Sequence, residues 1–338
     1  MDEISTIMNK AINLQKDGKL EEAISIYLKI LDIQPSNAAA MHLLGLVFHS
    51  QGNFNHAVEC IGKAIIESPN VADFHSNMAA AQLALGLAKS ASRHAKKAVQ
   101  IDFNLGEAHY NLGNALFYLG KSNDAISSFS TAIELEPSND NFWSNFLFSL
   151  NFASSANHSK IFQENLNWGL SLENDETGVA FENDLIPNKP IRLAYFLPEF
   201  DRHVTTRFIK AMVKHHDRNN FEVRVYGYSG NQSTTPKSIT ENIESWIDVS
   251  DWDTNLVARK MRHDQIDILL HPCTFKARYR KLIARNAAPL QVACINLVST
   301  TGLKQATHLV TDSFLSPPNE GERFFTETLI RLTSFNVY

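Results

Sequence analysis

Few side chains of this 338-residue chain stand at spacings that do chemistry by themselves. His215 and His216, followed by Asp217, offer the donor types that hold zinc, but no third ligand follows at a metal-binding spacing. At a predicted helix end their plainer role is to favour the negative helix C-terminus. His271-Pro272-Cys273 is a fragment of a zinc-deaminase pattern without the Cys-x-x-Cys that completes it. Cys60, Cys273 and Cys294 have no metal-ligand spacing, and Cys60 sits on a predicted helix where a small buried apolar residue is expected. A reduced, cytoplasmic protein without a metal follows. Gly227-Tyr228-Ser229-Gly230 lacks the third glycine of a phosphate cradle, and no Gly-x-Ser-x-Gly turn is present. Any site is therefore one that the fold assembles from separate elements.

One spacing organises the first half of the chain. Gly18, Gly52, Gly86 and Gly120 are 34 apart, as are Ala23, Ala57, Ala91 and Ala125. Pro35, Pro69 and Pro137 keep the same step, which misses only at Phe103. This is the period of tetratricopeptide (TPR) repeats, each a helix, a tight turn and a second helix. Glycine supplies the turn, alanine lets the paired helices approach, and proline stops the second helix. The repeats run over residues 4–37, 38–71, 72–105 and 106–139, and a fifth begins at Asp140 with Trp143 at the large-aromatic position. Residues 1–152 are thus predicted to form a superhelical solenoid of about four and a half repeats. Residues 153–190 are read as a capping helix, 158–172, closing the apolar end of the repeats, and an acidic linker bounded by Pro187 and Pro190.

Composition sets the limits. Hydrophobic residues at 44% and charged residues at 20% describe an ordinary globular protein, and a net charge of -5 gives no footprint for nucleic acid. Local basic segments at 254–263 and 275–285, with Lys276, Arg278, Arg280, Lys281 and Arg285, read as solvated helix faces. No apolar run reaches the length of a membrane span, so no membrane partner is expected.

From Ile191 short β-branched runs alternate with helical segments: strands at 191–197, 221–228, 246–249, 267–270, 290–297, 308–311 and 329–332, with helices at 205–216, 237–244 and 254–262 and one before Leu290. That alternation over 191–338 predicts an α/β, Rossmann-like, doubly wound parallel sheet. Ligands of such sheets lie beyond the carboxyl ends of the strands, here the loops at 198–206, 271–277 and 298–303.

The repeats, the helix with Trp168-Gly169 and the strand Ile191-Arg-Leu-Ala-Tyr-Phe-Leu-Pro-Glu199-Phe200 together resemble the O-linked N-acetylglucosamine transferase family. The likeness extends through Ala288-Pro289-Leu-Gln291-Val292, Thr300-Thr301-Gly302-Leu303, Thr311-Asp312, Ser316-Pro317-Pro318 and Leu329-Ile-Arg-Leu332. The resemblance implies a GT-B glycosyltransferase, of which 191–338 would be the first lobe. It implies metal-independent transfer from a UDP-sugar to Ser or Thr, with no cofactor beyond the donor substrate. It also implies a TPR groove that delivers a protein or extended peptide, with Asn77, Asn111 and Asn145, again 34 apart, as an asparagine ladder that Leu43 interrupts. A side-chain amide can hold the backbone of any extended peptide; the plainer alternative is that these amides bond neighbouring helices.

On the same resemblance His203 matches an active-site histidine whose imidazole could take or give a proton, although a histidine at a loop-helix junction also serves as a cap. Thr300, Thr301 and Gly302 match a loop near the donor. Other loops depart from the family. The Asp-Leu-x-Gly-His-Thr loop reads His271-Pro-Cys-Thr-Phe275-Lys276, replacing its histidine by Phe275 and its aspartate by His271. The Leu-Gly-Tyr-Pro-Gly loop reads Ile295-Asn-Leu-Val-Ser299, so two glycines that permit close backbone approach have gained side chains. Most donor contacts of the family lie in a second lobe, which another chain or subunit would have to supply. Two functions are therefore expected: TPR-mediated protein binding joined to a truncated, catalytically impaired transferase lobe, or a non-catalytic TPR adaptor or partner subunit of a glycosyltransferase.

Overall fold

The structure, a computed structural model, describes residues 3–172, 180–184, 186, 189–197, 204–227, 243–271, 275–294 and 299–333. It divides into two compact units, Met1–Ser155 and Ala156–Tyr338.

The first unit is helical. Its pairs are α1 (Glu3–Lys16) with α2 (Leu20–Ile33), α3 (Ala38–Ser50) with α4 (Phe54–Glu67), α5 (Ala72–Ala84) with α6 (Ala88–Ile101), and α7 (Gly106–Tyr118) with α8 (Ser122–Leu135). α9 (Asp140–Leu150) opens a fifth repeat. Each turn glycine takes a left-handed φ of 73 to 76°. The amide after it reaches back to the helix, as Leu87 N–H does to Gln82 O at 2.8 Å, closing the orphan carbonyls. Ala23, Ala57, Ala91 and Ala125 are fully buried at the crossings.

Helices α2, α4 and α8 end two residues before their proline. α6 ends at the same place without one, where the Asp102 carboxylate accepts the Asn104 N–H at 2.9 Å. At three of the four junctions a side chain also satisfies the carbonyl. Pro69 O accepts from His75 Nε2 at 2.9 Å, Phe103 O from His109 Nε2 at 2.8 Å, and Pro137 O from Trp143 Nε1 at 3.0 Å. The aromatic position is therefore a donor that locks one repeat to the next.

Two glycines of this unit separate sterics from backbone preference. A Cβ on Gly45 would lie 2.6 Å from Ile61 Cγ1 and 3.2 Å from Ala57 O, whereas one on Gly86 meets nothing within 4 Å. Gly45→Ala is expected to lower stability by about 1–3 kcal/mol despite alanine's better helix propensity. Gly86→Ala, paying only for its left-handed φ, costs about 1 kcal/mol. Urea denaturation of both variants checks the order.

The second unit begins with α10 (His158–Leu172). Its sheet contains β1 (Ile191–Leu197), β2 (Phe221–Gly227), β3 (Ser245–Asp248), β4 (Ile268–His271), β5 (Leu290–Ala293), β6 (His308–Asp312) and β7 (Thr328–Leu332). Helices α11 (Val204–His215), α12 (Thr254–His263) and α13 (Ala277–Ala284) connect them. The order is β3-β2-β1-β4-β5-β6-β7 and every pairing is parallel. Alternate residues of β1 feed two cores, Ala194 and Phe196 on one face, Leu193, Tyr195 and Leu197 on the other. Burial on both faces is why these strands read as continuous apolar runs. Among the described residues no helix is long and apolar enough to cross a membrane.

Four expectations change. Helix α10, read as a cap for the repeats, is counted with the sheet unit. There Trp168 is 1% exposed and the Arg280 guanidinium from α13 stacks 4.6 Å from its ring centroid, so α13 satisfies the apolar stripe. Part of the linker is strapped to the sheet, with Asn183 Nδ2 donating to Gln265 O, Ile266 O and Asp267 Oδ1. The basic faces are not merely solvated: Arg262 donates to the carbonyls of Arg285 and Asn286, and Arg278 to those of Val249 and Trp252. These guanidiniums close backbone groups at loop junctions. Cys60 is half-buried rather than buried. The helix expected at 237–244 lies outside the described residues but for 243–244, which are not helical, and 295–297 of the strand expected at 290–297 lie outside them too.

Candidate functional site

The sheet reverses direction of winding between β1 and β4, and the crevice of such a fold opens beyond the carboxyl ends of those strands. The loop after β1, including His203, lies outside the described residues. β4 ends on His271, whose side chain is fully buried and whose two ring nitrogens have no hydrogen-bond partner among the described residues. Burial, with the Arg280 guanidinium adding to it, pushes the His271 pKa down to about 3, so the ring is a neutral imidazole. Cys294 follows β5, donates its N–H to His271 O at 3.0 Å, and burial pushes its thiol up to about 12. Neither group is a ready nucleophile or base. Phe275 is 6% exposed. Arg280, fully buried beside Trp168, also donates to Asn165 Oδ1.

Thr300, Thr301 and Gly302 form a polar knot. Thr300 Oγ1 donates to Glu327 Oε2 at 2.8 Å, and Thr301 donates to Glu327 Oε1 through its N–H at 2.6 Å and its hydroxyl at 2.5 Å. Those hydroxyls in turn accept from Gly302 N at 3.0 Å and Leu303 N at 3.2 Å. Both threonines are at most 1% exposed. Gly302 has φ +69° and crosses α10 so closely that a Cβ on it would sit 2.1 Å from Asn165 O. A Cβ on Gly169 would sit 2.1 Å from Gly302 O. The Trp168-Gly169 and Thr300-Thr301-Gly302 sequences are thus two halves of one contact. Glu327, Asn165 and Arg280 escaped sequence reasoning because their partners lie 26 to 115 positions away.

In the repeat unit the three asparagines share one pattern. Asn77 Nδ2 donates to His42 Nε2 at 3.0 Å, Asn111 Nδ2 to Ser76 Oγ at 3.0 Å and Ser76 O at 3.2 Å, and Asn145 Nδ2 to Tyr110 OH at 2.9 Å. Each thus anchors on the repeat before it, and Asn145 also donates to Asn114 Oδ1 at 2.7 Å. The amide N–H groups bond neighbouring helices, as the plainer alternative had it. The Oδ1 acceptors take no hydrogen bond from the described residues. Asn9, exposed and two periods before Asn77, occupies the same position; the period alone could have found it.

An amide nitrogen only donates, so His42 Nε2 must accept and its proton sits on Nδ1. Burial, opposed by Asp73, pushes the His42 pKa down to about 4. Its folded pKa is below the unfolded one, so this stability is present above about pH 6.5 and lost as pH falls through about 4. Between pH 7.5 and 4.5 the wild type is expected to lose about 2–3 kcal/mol more than His42→Gln, read by urea melts at the two pH values.

Comparison with known proteins assigns the second unit. The sequence profile of glycosyl transferase family 41 matches residues 153–336, more than half of the chain, and tetratricopeptide profiles match 8–72 and 106–139. A probable UDP-N-acetylglucosamine-peptide N-acetylglucosaminyltransferase, SPINDLY, from Oryza sativa subsp. japonica is 29% identical over 218 residues, 61% of this chain and 23% of the relative. A probable enzyme of the same description, SEC, from Arabidopsis thaliana is 30% identical over 146 residues, 43% of this chain and 15% of the relative. Among solved structures, a Thermobaculum terrenum O-GlcNAc transferase mutant superposes with a TM-score of 0.68 at 25% identity. That match covers 98% of this chain and 57% of the other. The chain therefore spans less than a quarter of those two relatives and little over half of the solved transferase.

Proposed function

We propose, for a chain that belongs to glycosyl transferase family 41 and carries tetratricopeptide repeats, that the repeats hold an extended polypeptide while the α/β unit is impaired in sugar transfer. The observation that carries the first part is the asparagine register. With each Nδ2 held by the preceding repeat, each Oδ1 is an oriented acceptor for a backbone N–H, independent of the ligand's side chains. The relevant partner is a protein segment in a reduced compartment such as the cytoplasm.

Two features support the second part. The Thr300 and Thr301 hydroxyls are committed to Glu327 rather than to a ligand. His271 is a neutral ring sunk in the sheet, and Phe275 is an apolar side chain where the family pattern has an imidazole. The other reading, an active UDP-sugar:protein Ser/Thr transferase or half of one with His203 as its proton-transfer group, draws on the 57% span of the solved transferase.

Peptide capture is tested by calorimetry with an unstructured peptide library. Asn77→Ala combined with Asn111→Ala is expected to weaken binding at least about tenfold, the loss of one to two net hydrogen bonds. Unchanged affinity removes the asparagines from the proposal.

A further inference from the structure

Helix α6 carries a basic stripe that its place in the repeat does not require. Lys89, Arg93 and Lys97 follow at i, i+4 and i+8, with Lys96 beside them, and all four side chains are exposed. Among the described residues none of the four is ion-paired, and Arg93 donates to Ser90 Oγ of its own helix at 3.0 Å. Like charges at this spacing oppose one another along a helix. The 34-residue register supplies an internal control. Where α6 has Lys89, Arg93 and Lys97, α2 has Glu21, Ser25 and Lys29, α4 has Asn55, Glu59 and Lys63, and α8 has Asn123, Ser127 and Thr131. At the first two of these positions the other repeats carry only acids and neutral residues, in a chain whose net charge is -5.

We propose that the exposed face of α6 binds an acidic, extended polypeptide segment of a partner protein. Charge complementarity sets the sign, and geometry sets the form. Side chains at i and i+4 on a helix rise about 6 Å apart, and alternate side chains of an extended chain are about 6.7 Å apart. A segment with Asp or Glu at every second residue therefore meets Lys89, Arg93 and Lys97 in step. The width of the patch selects against broader polyanions. The strip is one helix wide, about 10 Å; of the neighbouring outer helices, α4 presents Glu59 paired with Lys63 at 2.7 Å, and α8 the neutral Asn123, Ser127 and Thr131 at the equivalent positions. A nucleic-acid duplex or an anionic membrane spreads its charge over several helices and finds a matching row of cations only on α6 at these positions. The first helices of successive repeats touch one another, α3 on α5 and α5 on α7, which leaves α6 on the outer row. This surface is thus separate from the asparagines of α5 and α7, and its failure would leave the peptide groove untouched.

The test uses the full chain and a fluorescent peptide of about twelve residues with glutamate alternating with serine, followed by anisotropy. Saturable binding is expected, weakening as salt rises from about 50 to 300 mM. Lys89→Glu, Arg93→Glu and Lys97→Glu together are expected to weaken it at least about tenfold, and the milder triple change to Gln by about threefold or more. A control reversing Lys10, Lys16 and Lys29 stays within about twofold of wild type. All three variants should melt within a few degrees of wild type because every changed side chain is exposed. The proposal is overturned if no saturable binding is seen, or if the glutamate triple binds as wild type does. It is equally overturned if a DNA duplex or phosphatidylserine vesicles bind α6 more tightly than the peptide at the same salt.

Discussion

Gly302→Ala is expected to cost about 3–5 kcal/mol or to prevent the second unit from folding. Two penalties combine. The left-handed φ of +69° disfavours any side chain, and the added Cβ would stand 2.1 Å from Asn165 O, 2.4 Å from Asn165 C and 2.8 Å from Leu166 N. Those atoms are helix backbone, which cannot rotate away as a side chain can. Gly169→Ala meets the same crossing from the other side, 2.1 Å from Gly302 O. Urea unfolding, with Trp168 among the tryptophans of that unit, reads the loss directly. A cost near 1 kcal/mol, as expected for Gly86→Ala with its open surroundings, would mean that the crossing is looser than the geometry described here.

Glu327→Ala is expected to cost a similar amount, about 3–5 kcal/mol, by a different route. The carboxylate is 6% exposed and accepts from the Thr301 N–H and from the hydroxyls of Thr300 and Thr301. Removing it leaves the Thr301 amide hydrogen and hydroxyl buried without an acceptor, each costing about 1–3 kcal/mol, while the Thr300 hydroxyl can turn to Thr326 Oγ1 at 3.0 Å. Glu327→Gln keeps one acceptor oxygen and should fall about halfway. The order alanine, then glutamine, then wild type in thermal melts separates lost hydrogen bonds from lost packing. Equal losses for both variants would point to the charge alone.

These two sites show which parts of the molecule could be read ahead of time. The repeats were legible because Gly86, Ala91 and their equivalents answer local demands, a left-handed turn and a close helix crossing, that recur every 34 residues. The parallel sheet was legible because parallel strands buried on both faces leave uninterrupted apolar runs such as Ile191–Leu197. What was not legible depends on partners distant in sequence. Helix α10 has an apolar stripe and a tryptophan, and periodicity cannot say whether repeats or sheet will cover it; the answer is Arg280, 112 positions beyond Trp168. Likewise Thr300 and Thr301 look like ligand-facing hydroxyls until Glu327 is seen to hold both. The asparagine spacing was visible, but the division of labour between Nδ2 and Oδ1 needed the neighbouring repeat. His203 was singled out by the resemblance alone, and it lies outside the described residues.

The central claim, a peptide groove joined to a sugar-transfer unit without transfer of its own, meets its most direct test in one assay. The purified chain is incubated with UDP-N-acetylglucosamine labelled in the sugar and with a library of Ser- and Thr-containing peptides, beside its His203→Ala variant. The account predicts no label on peptide above background in either sample. Label transferred by the wild type and lost in the variant would contradict it, and would identify His203 as part of a working active site.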